Sequence, residues 1–153
     1  MKQISVFFRL IDKFYPPVKV HAHCDVPCGL YDTAAAKMAA NTVVKMVEKI
    51  NALPGDEKDP QKMLEARNSF VRMVITKEQH AEICKRELLI LWTDFFKSEH
   101  LEIFPQLHET FWHAAKLCSK NKQNISTEAA EELQEAVVKI EEMFQAVKAK
   151  SVK

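Results

Sequence analysis

Residues 23–32 read His23-Cys24-Asp25-Val26-Pro27-Cys28-Gly29-Leu30-Tyr31-Asp32, and the order of nitrogen and sulfur donors in this run implies a particular coordination chemistry. If the chain is cut between Ala22 and His23, three successive donors lie along one short piece of backbone: the new α-amine of His23, the amide nitrogen of Cys24 and the Cys24 thiolate. They form two fused five-membered chelate rings, which favour a single plane. Pro27 and Gly29 suit a tight reversal of the chain, so the Cys28 thiolate can close an N2S2 square. A tetragonal nitrogen and sulfur set suits nickel(II) or copper(II), whereas tetrahedral zinc gains nothing from a deprotonated amide. The His23 imidazole stays available as a fifth ligand from above the plane. Before the cut, the His23 nitrogen is an amide to Ala22 and offers no amine, so processing is expected to control activity.

The same donors predict redox work. Anionic thiolates and an amidate donate strongly and stabilise nickel(III), and an axial imidazole adds to this. A helical module that stores or delivers nickel or copper without turnover shares these ligands and is the alternative reading. A zinc-bound or disulfide-stabilised interaction protein needs a second ligand pair, and Cys84 and Cys118 are poorly spaced for one. Both fall inside helical patterns and read as small core hydrophobes. A domain of this size does not need disulfides.

Four amphipathic helices must position the hook. The chain has 153 residues, 47% hydrophobic and 28% charged, with only two glycines, Gly29 and Gly55. Many-stranded folds usually need more glycine at turns and bulges, so the composition favours helices with short connections. The first helix is expected from about Thr33 to Ile50 with Asp32 as N-cap, its apolar row being Ala40, Val43, Val47 and Ile50. The second opens at Asp59-Pro60, an N-cap followed by proline at the first helical position. Its rows include Met63, Phe70, Val74, Ala81, Cys84, Leu88, Leu91 and Phe95, and their length to about Lys97 suggests a kink or break. The third opens near Phe104-Pro105 and carries Leu107, Phe111, Ala114 and Cys118. The fourth follows Ser126 or Thr127 and carries Leu133, Val137, Ile140, Phe144 and Val147. Alternating steps of three and four predict an all-α antiparallel four-helix bundle with an N-terminal metal-binding hook.

The formal net charge of +1 gives no reason to expect nucleic acid or a membrane surface as partner. Residues 1–22 hold Lys2, Arg9, Lys13 and Lys19 against Asp12 alone, which leaves the remainder slightly acidic. The apolar stretch Ile4 to Ile11 is interrupted by Arg9, a poor secretory core and far too short to span a bilayer. Residues 1–22 are therefore expected to be a pro-peptide of a cytoplasmic protein. A reducing compartment also keeps Cys24 and Cys28 as thiols for the metal.

The run from His23 to Asp32 resembles the HCDxPCGxYD hook of nickel-containing superoxide dismutases. Later segments are also similar to that family: Lys77-Glu78-Gln79-His80-Ala81-Glu82, Leu91-Trp92-Thr93-Asp94-Phe95-Phe96-Lys97 and Leu107-His108. The resemblance spans about residues 20–148. It implies disproportionation of superoxide to dioxygen and hydrogen peroxide by one nickel ion per subunit, cycling between +2 and +3. It implies ligation by the His23 amine and imidazole, the Cys24 amide and thiolate, and the Cys28 thiolate. It further implies a cis Val26-Pro27 bond, a homohexamer, and a maturation protease cutting between Ala22 and His23. Asp25 and Tyr31 would shape the hook and the approach of superoxide. Well-known members carry glutamate where this chain has Ala39, arginine at His80 and tyrosine at Phe95. The absent carboxylate would have held the axial imidazole, and His80 is expected to take its place, directly or through one water. Asp32 reads as a helix cap, Trp92 and Trp112 as core or interface aromatics, Lys97 as a solvated lysine, and His100, His108 and His113 as surface or core residues rather than ligands.

Overall fold

The computed structural model describes residues 30–55 and 58–151. Four α-helices account for most of them: α1 (Ala34–Asn51), α2 (Pro60–Ile90), α3 (Leu107–Gln123) and α4 (Thr127–Ser151). No strand occurs among the described residues. Each helix packs on two neighbours in the ring α1–α2–α3–α4–α1. Cross-helix pairs give the directions. Asn41 meets Gln134 and Lys37 meets Glu141 between α1 and α4. Between α3 and α4 Lys120 meets Glu132 and Asn121 meets Ala129, and between α2 and α3 Lys85 meets Ser119 and Glu82 meets Lys122. In each pair the numbers run in opposite senses, so the bundle is antiparallel, as expected.

The expected caps set the starts of α2 and α4. Asp59 accepts from the backbone N–H groups of Gln61 and Lys62, with Pro60 at the first position, which satisfies two of the orphan donors at that end. The Ser126 hydroxyl accepts from Ala129 N–H at the start of α4. At α1 the N-cap is Thr33, with no side-chain cap, instead of the expected Asp32, which lies one residue earlier and whose carboxylate accepts from Ala34 N–H at 2.6 Å. The expected rows of α1, α3 and α4 are all buried, from Ala40, Val43, Val47 and Ile50 through Leu107, Phe111, Ala114 and Cys118 to Leu133, Val137, Ile140, Phe144 and Val147.

Helix α2 departs from the expected pattern in its first half. Ala81, Cys84, Leu88 and Leu91 are core residues, but Phe70 is 41% exposed and Met63 and Val74 are only half-buried. The contacts of α3 on α2 run from Lys77, which meets the end of α3, to Lys85. Before Lys77, α2 has α1 as its neighbour and leaves Leu64, Val71 and Ile75 about half exposed. The apolar period there does not mark burial within one chain.

At its other end α2 does break. Leu91–Phe95 form a π turn, closed by a hydrogen bond from Phe96 N–H to the Leu91 carbonyl. A π turn inserts one residue into the helical ladder. The chain then turns extended at Phe96 and passes through a short 3-10 turn, Ser98–Glu102, before α3.

Two buried polar groups secure the opposite end of the bundle. Lys77 is 1% exposed, and its ammonium donates to the backbone carbonyls of Asn121, Lys122 and Asn124. It thus caps the C-terminus of α3, where the helix dipole favours a cation. Burial lowers the Lys77 pKa, and neighbouring Glu78 partly offsets this. Asn121 donates to the carbonyls of Leu117 and Ala129, joining α3 to α4. Cys84 and Cys118 are free, fully buried thiols, as their place in the apolar rows implied. A hydrogen bond between them, then burial, pushes the Cys84 pKa far up, so this thiol is inert as a nucleophile.

Candidate metal centre

His23, Cys24, Asp25, Pro27, Cys28 and Gly29 lie outside the described residues, as do the expected pro-segment and the Val26-Pro27 bond. The described chain begins where the hook ends, and the geometry of that root is well defined. Leu30 is 79% exposed. Tyr31 is the first residue packed against the core. Its ring lies 5.6 Å from that of Phe95, and Phe95 in turn lies 4.5 Å from Phe144 and 5.0 Å from Phe96. Lys148 donates to the Tyr31 backbone carbonyl at 3.2 Å and stands 4.9 Å above the Phe144 ring.

This root is assembled from the same end of all four helices. The π turn of α2 supplies Trp92, Phe95 and, just beyond it, Phe96. The start of α3 supplies His108 and Phe111, and the end of α4 supplies Phe144 and Lys148. The Trp92 indole N–H donates to His108 Nδ1 at 2.8 Å, and the Trp92 ring stacks on Phe111 at an interplanar angle of 8°. His100 accepts from Lys97 N–H and packs edge-on to Phe96. Trp92, expected to be a core or interface aromatic, and the histidines His100 and His108 therefore join one ring cluster with Phe95, Phe96 and Phe111, on which Tyr31 packs. Trp112 is 56% exposed, and Lys97 is also exposed.

His80 lies on α2 and is half-buried, with Nδ1 2.8 Å from the carbonyl of Thr76. That carbonyl can only accept, so Nδ1 carries the proton and a neutral ring keeps Nε2 as an acceptor. Ala39 is 1% exposed within the core cluster. Its methyl supplies no polar group to an imidazole. The distance from His80 to the His23 imidazole involves residues beyond those described.

Among the described residues, no group of three or more His, Cys, Asp or Glu is arranged to hold a metal. The donor set of residues 23–28 does fit a tetragonal metal: two thiols, an amide, a terminal amine after cleavage, and an imidazole. Lys148 is a residue that the sequence reading passed over. It falls four places after Phe144, one turn along the face of α4 that meets the hook root, which is a signal only once Phe144 is known to support that root.

Comparison with known proteins agrees with this geometry. Residues 18–148 match the family described as nickel-containing superoxide dismutase. The chain is 36% identical over 131 residues to superoxide dismutase [Ni] of Streptomyces seoulensis, and 34% identical over 131 residues to that of Streptomyces coelicolor. Each alignment covers 86% of this chain and 92% of the relative. A crystal structure of a Ni-containing superoxide dismutase, with nickel ligation corresponding to the state after partial x-ray-induced reduction, superposes with a TM-score of 0.71 at 32% identity. That match covers 83% of this chain and 99% of the other. A helical bundle of this architecture, matched along most of its length in both sequence and structure, belongs to the nickel-containing superoxide dismutase family.

Proposed function

We propose that this chain disproportionates superoxide to dioxygen and hydrogen peroxide at a nickel ion held by residues 23–31, after removal of residues 1–22. Family membership across residues 18–148 is the observation that carries this reading. The ligands would be the His23 amine and imidazole, the Cys24 amide and thiolate, and the Cys28 thiolate. When bound there, nickel supplies one-electron chemistry between its +2 and +3 states. Cys24 and Cys28 contribute by being present as thiolates, and Pro27 and Gly29 by turning the chain so that the two sulfurs meet. Tyr31 stands at the mouth of the hook, its ring fixed by Phe95, where it can limit what reaches the metal. Asp25 shapes the turn between the sulfurs. His80, with Nδ1 committed to Thr76, offers Nε2 as acceptor for the proton of the His23 imidazole.

Processing between Ala22 and His23 by a maturation protease frees the amine. The solved relative is matched over 99% of its length by only 83% of this chain, which supports a mature protein lacking the first segment. The exposed apolar stripe Leu64, Val71 and Ile75, with Phe70 and Met38 near it in exposure, is surface that assembly into a homohexamer would cover. No helix among the described residues is long and apolar enough to cross a membrane, and we assign the enzyme to the cytoplasm on the reducing chemistry its thiolates need.

The test compares the full chain with a chain beginning at His23, each supplied with nickel under reducing conditions. The processed chain should retain one nickel and dismutate superoxide, and the full chain should do neither. Intact-mass measurement of active native enzyme should show loss of residues 1–22. Active material still beginning at Met1 refutes the processing step, and a processed chain that holds nickel without turnover favours the storage reading.

A further inference from the structure

We infer that Lys148 is the positioning residue of the metal hook: it locks the Tyr31 carbonyl onto α4 and so fixes where the donor residues stand relative to the bundle. The inference rests on the assignment of nickel to residues 23–31. Leu30 is 79% exposed, so among the described residues Tyr31 is the first at which the bundle grips the segment next to the hook. It is gripped twice. Phe95 holds the ring, and Lys148 holds the main chain through a charge-assisted hydrogen bond to the carbonyl at 3.2 Å.

The two grips share one foundation. Phe144 is 1% exposed, touches Phe95 at 4.5 Å, and carries the Lys148 ammonium 4.9 Å above its ring. The ring face attracts the cation and sets its position. A lysine stem lying along apolar surface loses less freedom on forming its bond than one extended in water. One residue after Tyr31, Asp32 accepts from Ala34 N–H where α1 begins. From Tyr31 to Ala34 the chain is therefore pinned by a ring, a carbonyl and a carboxylate in succession. Among the described residues no carboxylate pairs with Lys148. Its charge is directed to the hook root rather than neutralised elsewhere on the surface. Nothing in local sequence marks it, because the contact closes over 117 residues.

The test uses the chain beginning at His23 with Lys148→Met and Lys148→Arg. In metal-free protein, amide exchange across residues 30–34 should quicken about two- to tenfold in Lys148→Met, the loss of one ordinary net hydrogen bond. Lys148→Arg should restore it, because a guanidinium also donates to a carbonyl and stacks on a ring. The global melting temperature should stay unchanged, since Lys148 is on the surface. In nickel-loaded protein, kcat/KM for superoxide should fall and recover in the same order, and the spin-resonance spectrum should broaden in Lys148→Met alone. Wild-type exchange across residues 30–34 in Lys148→Met overturns the inference, as does failure of Lys148→Arg to restore it. If the unsubstituted processed chain neither keeps nickel nor dismutates superoxide, the functional assignment falls, and the metal-free exchange measurement still decides the role of Lys148.

Discussion

Replacing Lys77 with methionine should destabilise the bundle far from the hook. The substitution keeps a flexible stem of similar length and removes the ammonium that caps α3. Three carbonyls then lose their donor. The Asn121 carbonyl is in buried surroundings, and a buried acceptor left unsatisfied costs about 1–3 kcal/mol. Lys122 and Asn124 are half-buried and exposed, so water replaces the lost donor at their carbonyls at small cost. Loss of a cation from a partly buried helix C-terminus adds about 0.3–2 kcal/mol. Relief of the lysine's own desolvation offsets part of this, which leaves about 2–4 kcal/mol and a melting temperature lower by about 5–15 °C. Circular dichroism melts at one fixed protein concentration, needed because assembly shifts apparent stability, would measure it.

The pH dependence provides a second readout. Burial lowers the folded-state pKa of Lys77 below its unfolded value. Between the two values the unfolded chain binds more protons, so stability rises with pH there. The wild type should gain stability as pH rises toward about 10.4, the ordinary lysine value, and Lys77→Met should lack that gain. A variant melting within about 2 °C of wild type, with the same alkaline slope, would show that the three carbonyls do not depend on Lys77.

Ligand substitutions should separate metal retention from turnover. Cys24→Ser or Cys28→Ser should lose both nickel and dismutation, whereas His23→Ala, which keeps the amine, should retain nickel(II) and lose most activity together with the nickel(III) spin-resonance signal. Normal activity in His23→Ala would exclude an axial role for the imidazole. His80→Ala should lower activity by about tenfold or more at unchanged nickel content; a fully active variant would leave the axial imidazole without its expected support from α2. Val71→Asp with Ile75→Asp, two half-exposed positions on α2, should shift the sedimenting species from hexamer to smaller forms while the helical spectrum persists. An intact hexamer would place the interface elsewhere.

Much of this architecture was legible because single residues announce helix ends. Asp59-Pro60, Ser126 and Asp32 each hold a backbone donor near the position their chemistry required. The rows of α1, α3 and α4 were legible because burial on one stripe leaves a 3.6-residue period. The period could not say whose surface covers a stripe, and so Phe70 reads like a core residue although this chain leaves it 41% exposed. Lys77 was illegible for the opposite reason: a lysine reads as polar surface until the end of α3 is seen to surround it. The length of the second pattern, to about Lys97, suggested a kink or break but neither its place at Leu91–Phe95 nor a π turn, since one inserted residue changes the period too little to detect. At the site, donor chemistry alone points to His23, Cys24 and Cys28, which lie outside the described residues. The platform of Phe95, Phe144 and Lys148 was not, because it joins segments distant in sequence.

That distance bears on the order in which the protein is made. The Tyr31 carbonyl meets its lysine across 117 residues, an interval that a ribosome adding about 5–20 residues per second covers in about 6–23 s. The root of the hook thus leaves the ribosome early and waits for its anchor until α4 emerges. Until then the proposed ligands Cys24 and Cys28 would lack a finished seat for the metal. A segment that keeps the His23 nitrogen acylated during translation would prevent premature chelation, and a nonsense codon only a few residues before Lys148 would leave a nearly complete bundle with an unseated hook.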